Sequence, residues 1–274
     1  MTINCHGELL DLTSAKIMGI INITPDSFYE NSRASSKDLL KKAENMLKQG
    51  ADLLDIGGYS SRPGATEVSQ EEELRRVVPV VKTLVKTFPK VRISVDTFRS
   101  EVARQSLSEG ACMINDISAG HLDEKMWQII ADFQVPYIAM HMKGTPKNMQ
   151  EHTHYEDIVK EMIFYFSQIK AKAQQYGIND LIIDPGFGFS KTLEQNYEIL
   201  RKLSLFRILD VPILVGVSRK SMLYRLLQTT AENALNATTI VNTLALTKGA
   251  HILRVHDVQQ AKECVQIFEK MEKL

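Results

Sequence analysis

Nearly every short apolar run in this chain ends on a residue that can hydrogen-bond, carry charge or move a proton. Asn22 follows Ile17–Ile21, Asp96 follows Arg92–Val95, and Asn115 with Asp116 follow Cys112–Ile114. His141 follows Tyr137–Met140, Asp184 follows Leu181–Ile183, and Ser218, Arg219 and Lys220 follow Ile213–Val217. The run Ile252–Val255 carries Arg254 within it and His256 directly after it. Leu53–Gly57 holds Asp55 inside and leads into Gly58-Tyr59-Ser60-Ser61-Arg62-Pro63-Gly64. A single Asp or Asn at such a position more often caps the next helix or bonds loop amides. Repeated at the same end of run after run, these residues describe one pocket that reads a donor and acceptor edge and an anion together.

The residue types narrow the chemistry. Asp184 and Asn115 combine a carboxylate with an amide, which suits the edge of an amino-pyrimidinone ring. Lys220 and Arg254 supply donors, and a planar guanidinium also stacks on a flat ring. Ser61, Arg62 and His256 can hold a phosphate. No P-loop is present, and the glycines of Asp184-Pro185-Gly186-Phe187-Gly188-Phe189 stand too close together for a dinucleotide fingerprint. The histidines His6, His121, His152, His154 and His251 lack metal-ligand spacing, and Cys112 reads as core. Asp96 and Asp184 have no basic neighbour in sequence, so both read as buried carboxylates without compensation.

The elements that must position these groups follow from pattern. Each apolar run is three to five residues long and rich in Ile, Val and Leu, as are strands buried on both faces of a parallel sheet. Amphipathic stretches alternate with them. Leu39, Leu40, Ala43, Met46 and Leu47 form one, stopped by Gly50. Ser69 and Glu72 form a capping box for the next, where Pro79 predicts a kink or a restart. Ile158 to Ile169 marks a helix closed by Gly177, and Asp257 is placed to cap the last one. The alternation predicts a single-domain (β/α)8 TIM barrel spanning 1–274, with 1–15 an N-terminal extension and 16–274 the barrel. An open doubly wound sheet is the alternative. The active site belongs at the C-terminal ends of the strands.

Composition excludes several classes. The 274 residues carry 33 Lys+Arg against 33 Asp+Glu, with 44% hydrophobic residues and three cysteines. Ordinary apolar content argues against disorder, and three cysteines cannot build a disulfide framework. A zero net charge speaks against a broad nucleic-acid or anionic-membrane surface. Neither a signal peptide nor a membrane span is read, so a cytoplasmic address with reduced thiols is expected.

Eight motifs in order carry a more specific resemblance. They are Asn22-Ile23-Thr24-Pro25-Asp26-Ser27-Phe28, Ser61-Arg62-Pro63-Gly64, Val95-Asp96-Thr97 and Ile114-Asn115-Asp116-Ile117 in the first half. Met140-His141-Met142, Asp184-Pro185-Gly186-Phe187-Gly188-Phe189, Ser218-Arg219-Lys220-Ser221 and Arg254-Val255-His256-Asp257 complete them. From about residue 16 to the last helix the chain resembles the dihydropteroate synthase family of pterin-binding barrels. The resemblance implies a transferase of folate synthesis that joins 4-aminobenzoate to (7,8-dihydropterin-6-yl)methyl diphosphate by a dissociative mechanism and is a target of sulfonamides. It implies Asp96, Asn115, Asp184 and Lys220 on the pterin, Arg254 over its face, and Asn22, Ser61 and His256 toward the diphosphate, Asn22 through Mg2+. Asp96, Asp184, Lys220, Arg254 and His256 would carry catalysis. Ser61, Arg62, Pro63, Phe189, Lys220 and Ser221 would border 4-aminobenzoate, and the protein would be a homodimer. The chain departs from the family at Tyr29-Glu30-Asn31-Ser32-Arg33, where glycines are usual, and at Ser190, which replaces a glycine and is expected to alter the outer edge of the aminobenzoate side. A pterin-barrel methyltransferase acting on methyltetrahydrofolate, or a non-catalytic pterin-binding protein, would share part of the pattern. The anion-handling residues argue against both.

Overall fold

A computed structural model of the chain describes residues 1–23, 33–59 and 68–272. It begins with an antiparallel hairpin, β1 (Thr2–Cys5) and β2 (Glu8–Asp11), in which Thr2 pairs with Asp11 and Cys5 with Glu8. His6 and Gly7 turn it with φ of 52° and 84°, the double left-handed geometry that matches strand twist in two-residue hairpins. The sequence predicted no structure for this extension.

Eight parallel strands follow: β3 (Lys16–Asn22), β4 (Leu53–Gly57), β5 (Ile93–Asp96), β6 (Met113–Asp116), β7 (Tyr137–Met140), β8 (Leu181–Asp184), β9 (Leu214–Val215) and β10 (Ile252–Val255). Each pairs with its neighbour in the order β8-β7-β6-β5-β4-β3-β10-β9. A parallel bridge between Ile183 and Ile213 joins the two ends. The sheet is therefore a closed barrel, and the doubly wound alternative is excluded. Outside lie α1 (Arg33–Lys48), α2 (Gln70–Thr87), α3 (Ser100–Ser108), α4 (Lys125–Phe133), α5 (Ile158–Gln175), α6 (Leu193–Arg201), α7 (Ser221–Leu226), α8 (Leu235–Thr247) and α9 (Val258–Glu272). None among the described residues is long and apolar enough to cross a membrane.

The helix ends behave as their residues dictate, with one correction. Ser69 accepts from the Glu72 amide at 3.2 Å, and Gly50 and Gly177 take φ of 99° and 71° behind their helices. Pro79 neither stops nor restarts α2, which runs unbroken through it. Val77, Val80, Val81 and Leu84 are buried on either side, and that packing outweighs the one backbone bond a proline removes. Asp257 does more than sit at the start of α9: its carboxylate is clasped by Arg219 at 2.8 and 2.9 Å.

Strand side chains alternate between two environments with period two. Ile17, Ile21, Leu54, Ile56, Val95, Ile114, Tyr137, Ile183, Leu253 and Val255 point outward into the helix layer and form the main core with it. Met18, Leu53, Met113, Ile138, Ile182, Leu214 and Ile252 share the opposite parity and form an apolar floor inside the barrel, closed from below by Ile3, Cys5, Leu10 and Leu12 of the hairpin. His6 Nε2 meets the Ala111 carbonyl at 2.6 Å, and the Asn4 amide donates to Asp180 at 3.0 Å. Those two contacts fasten the plug to the barrel. Cys5, Cys112 and Cys264 are buried free thiols.

Candidate active site

Counting upward by two from the apolar floor converts most of the strands from apolar to polar. Met18 leads to Asn22, Leu53 to Asp55 and Gly57, Met113 to Asn115, Ile182 to Asp184, Leu214 to Gly216, and Ile252 to Arg254 and His256. Asp96 stands opposite Gly57 and Asn115 in the paired register. Parity thus aims all of these side chains into the barrel mouth.

Arg254 is the hub of the mouth. Its Nε donates to Asp55 Oδ2 and its Nη2 to Asp96 Oδ2, both at 2.6 Å, while Asn115 Nδ2 donates to Asp55 Oδ2 at 3.1 Å. Asp55 is fully buried, and its Oδ1 has no hydrogen-bond partner among the described residues. Burial pushes the Asp96 carboxyl up to about 7, the Arg254 charge pulls it down, and the neighbouring Asp55 adds to the rise. Burial opposes the Arg254 charge, yet Asp55 and Asp96 more than offset it and raise its pKa above the ordinary arginine value. The sequence-based view of Asp96 as uncompensated is corrected here, because its counter-ion arrives from a strand 158 residues away.

Asp184 and Lys220 form the second half. Burial raises the Asp184 carboxyl from its ordinary value, opposed by the charge of Lys220 and by the Gly186 amide, which donates to Oδ1 at 2.8 Å. Lys220, lowered by burial to about 8, donates to the Phe187 carbonyl and lies 4.8 Å from the Phe189 ring centroid. The turn between them requires glycine. At Gly186, with φ of 69°, a Cβ would stand 2.3 Å from the His141 carbonyl oxygen. Phe189 and Phe98 pack on Ile117, Met140, Met142 and Met149, an apolar wall beside the polar set.

Not every strand-end residue joins the cluster. Asp116 has outward parity and spends its carboxylate on the Ser118 and Gly120 amides, the Ser118 hydroxyl and the Tyr137 hydroxyl. His141 also points outward, its ring 4.9 Å from that of Tyr165, and burial lowers its pKa well below the usual value. Arg219 turns away to Asp257 and the Ala231 carbonyl. Ser218 Oγ accepts from the His256 amide at 3.1 Å and meets its Nδ1 at 3.0 Å, fixing that ring at the rim. Ser221 opens α7 next to Lys220. Asn22 is exposed at the end of β3. Ser61, Arg62, Pro63 and the Tyr29–Ser32 departure lie outside the described residues.

Ser190 is a correction of another kind. It is fully buried with φ of 46°, in the left-handed region where its predicted glycine would be at ease. Its hydroxyl accepts from the Lys143 amide at 3.0 Å, and its carbonyl accepts from the Tyr155 hydroxyl at 3.0 Å. It forms no part of an outer edge.

This geometry coincides with comparisons to known proteins. The profile of the pterin-binding enzyme family matches residues 18–256. Dihydropteroate synthase of Escherichia coli is 43% identical over 273 residues, covering 98% of this chain and 96% of that protein. The chain belongs to the dihydropteroate synthase family. It is accordingly a transferase. The crystal structure of the Yersinia pestis dihydropteroate synthase with a sulfonamide drug superposes with a TM-score of 0.93 at 40% identity, each chain fully covered. The Xanthomonas albilineans dihydropteroate synthase solved with 4-aminobenzoic acid has a TM-score of 0.91 at 37% identity, over 100% of this chain and 98% of that one. Within this synthase fold, sequence reasoning passed over Asp55 as a site member and missed the apolar wall and Lys191. The period-two parity from Leu53 would have found Asp55, and from Ile138 it would have found Met140, whereas nothing local marks Lys191 as a neighbour of the site.

Proposed function

We propose that the mouth cluster joins 4-aminobenzoate to (7,8-dihydropterin-6-yl)methyl diphosphate, releasing diphosphate and forming 7,8-dihydropteroate. The observation that carries this reading is the convergence of Asp55, Asp96, Asn115, Asp184, Lys220 and Arg254 from six different strand ends around one polar mouth. Asp96, Asn115, Asp184 and Lys220 match the mixed donor and acceptor edge of a pterin. Arg254 then exchanges its bond to Asp96 for the ring face, staying anchored by Asp55.

In this reading the bond from the methylene carbon to the diphosphate oxygen breaks first, its electron pair leaving with the diphosphate. The delocalised cation left on the dihydropterin is stabilised by Asp96 and Asp184, whose burial makes their fields strong. The aniline nitrogen then attacks the methylene and loses its proton, so no enzyme nucleophile is needed. His256, held by Ser218, and Arg62 face the departing anion. For the Mg2+ that the family implies, Asn22 Oδ1 and Asp96 Oδ2 lie 3.7 and 3.8 Å from the position a Cβ would take at Gly57. Two hard oxygens beside one glycine, Asp96 Oδ2 also accepting from Arg254, fit a magnesium held chiefly by substrate phosphates. When bound it supplies charge neutralisation for the leaving group. Phe189, Lys220 and Ser221, with Ser61, Arg62 and Pro63, border 4-aminobenzoate, and sulfonamides compete there.

The reading includes a cytoplasmic homodimer. Ile240 and Leu244 on α8 and Ile267 and Met271 on α9 are exposed at i, i+4 spacing on adjacent helices, an apolar face of the kind subunits bury. Sedimentation checks it: a single species of twice the 31.0 kDa chain mass is expected. The catalytic reading is tested by diphosphate release that depends on both substrates. Methyl transfer from methyltetrahydrofolate, or pterin binding without turnover, would overturn it.

A further inference from the structure

Behind the Gly186–Phe189 turn, on the side away from the mouth, lies a lysine that no step above uses. Lys191 is only 4% exposed. Its Nζ donates to the carbonyls of Phe189 at 2.8 Å, Gly186 at 3.0 Å and His141 at 3.2 Å, and lies 3.1 Å from His141 Nδ1. Its bonds go to peptide carbonyls and a ring nitrogen rather than to a carboxylate. Burial pulls its pKa well below the ordinary lysine value, with the Asp184 charge pulling the other way, so an amine kept here has a geometric use for its N–H donors.

That use is visible in the turn. Gly186 and Phe189 direct their carbonyls back to Lys191, while Phe187 directs its carbonyl the other way, to Lys220. The Gly188 amide donates to Asn196 Oδ1 at 2.7 Å, and the Phe189 amide closes onto the Gly186 carbonyl at 3.1 Å. A tight turn is thus braced between two lysines, one in the mouth and one behind it. Its outgoing end is held by Ser190, through the Lys143 amide and the Tyr155 hydroxyl. N–H donors radiating from a single nitrogen can reach carbonyls converging from two loops, a geometry that the planar fork of a guanidinium does not share.

We propose that Lys191 is a positioning residue for 4-aminobenzoate: by fixing the carbonyls of Gly186, Phe189 and His141 it sets where the Phe189 ring stands, and Ser190 locks the same turn from its flank. The inference rests on the reading that Phe189 borders the aminobenzoate site. It assigns to the buried lysine a much larger effect on one substrate than on the other.

The test measures both Michaelis constants in wild type, Lys191→Met, Phe189→Ala and the double variant. Lys191→Met is expected to raise the aminobenzoate KM by roughly tenfold, the scale of one misplaced group in a pocket, with the pterin diphosphate KM within about twofold. In the Phe189→Ala background the same change should shift the aminobenzoate KM by less than about twofold, because coupled residues are not additive. Equal increases in both KM values, or the full effect persisting without Phe189, would overturn the proposal. A raised aminobenzoate KM in Phe189→Ala with none in Lys191→Met sinks this inference alone. An unchanged KM in Phe189→Ala sinks the site reading as well. If Lys191→Met does not fold, Ser190→Gly tolerates φ of 46° and removes only the hydroxyl contacts to the Lys143 amide and the Tyr155 hydroxyl. It should raise the aminobenzoate KM alone by about two- to threefold, a small coupling by the usual measure, and no change there overturns the proposal.

Discussion

The two ends of the barrel interior are built from the same strands and obey opposite rules. At the N-terminal end, the hairpin and the floor pack Ile3, Leu10, Leu12, Met18, Leu53 and Ile138 into one apolar cluster. At the C-terminal end, two to four residues further along those strands, burial is spent on Asp55, Asn115 and Asp184 instead. Apolar burial stabilises in proportion to area, whereas a buried ion network returns little net stability and costs several kcal/mol when one partner is removed. The lower end therefore holds the fold, and the upper end spends part of that stability on fields aimed at a ligand.

The largest expected effect probes the upper end. Asp184→Asn keeps the shape and removes the charge, and should cut kcat/KM by about 10²- to 10³-fold, the usual loss for one preorganised electrostatic group. Circular dichroism should stay unchanged. A loss of less than about fivefold, small on that scale, would remove Asp184 from the catalytic set. The lower end should respond in reverse: Ile3→Ala, at a site 1% exposed, should cost about 2–4 kcal/mol in urea unfolding. Both KM values should hold, and a selective rise in either would mean that the plug and the mouth are coupled.

The pH profile sharpens the contrast next. Asp96 at about 7 must be ionised and Lys220 at about 8 must be protonated. The free-enzyme kcat/KM should therefore peak between those values and fall about tenfold per pH unit on either side. Lys220→Arg should carry the alkaline limb upward by more than one unit. An unmoved limb would assign it to another group.

The smallest effect concerns stability alone. Burial first, with Asp55 adding, lifts the folded Asp96 carboxyl from 3.8 to about 7 against the pull of Arg254. Between those pH values the folded chain keeps a proton that the unfolded chain has released. Stability from this group is thus full below about pH 4 and declines as pH rises through 7. Asp96→Asn leaves Arg254 paired with Asp55 and keeps an acceptor beside it, so it should melt about 2–4 °C above wild type at pH 8, the shift expected for about 1 kcal/mol in a chain of this size. The difference should close toward pH 4. A gap independent of pH would locate the strain elsewhere.

Much of this was legible before any coordinates. Runs such as Leu53–Gly57 and Tyr137–Met140 appear as strands with the bounds their apolar residues mark, because a strand buried on both faces leaves its composition in sequence. The polar strand ends were equally plain, since Asn22, Asp96, Asn115, Asp184 and Arg254 stand beside or within those runs. The hairpin escaped notice: Thr2–Cys5 and Glu8–Asp11 are as short as most barrel strands but lack their continuous apolar run, so nothing separates them from a loop.

What the chain order could not contain is which polar residues meet. Asp116 and His141 occupy strand ends as good as those of Asn115 and Asp184, yet the pleat turns them outward, and a shift of one residue reverses that choice. Arg254 reaches Asp55 and Asp96 across 199 and 158 residues, and Lys191 meets the His141 carbonyl across 50. Residue type and local pattern set each strand and its polar tip, because those depend on a few neighbours in the chain. Which charges are paired and which backbone turn is braced depend on barrel closure and register, where the partners come from strands far apart in sequence.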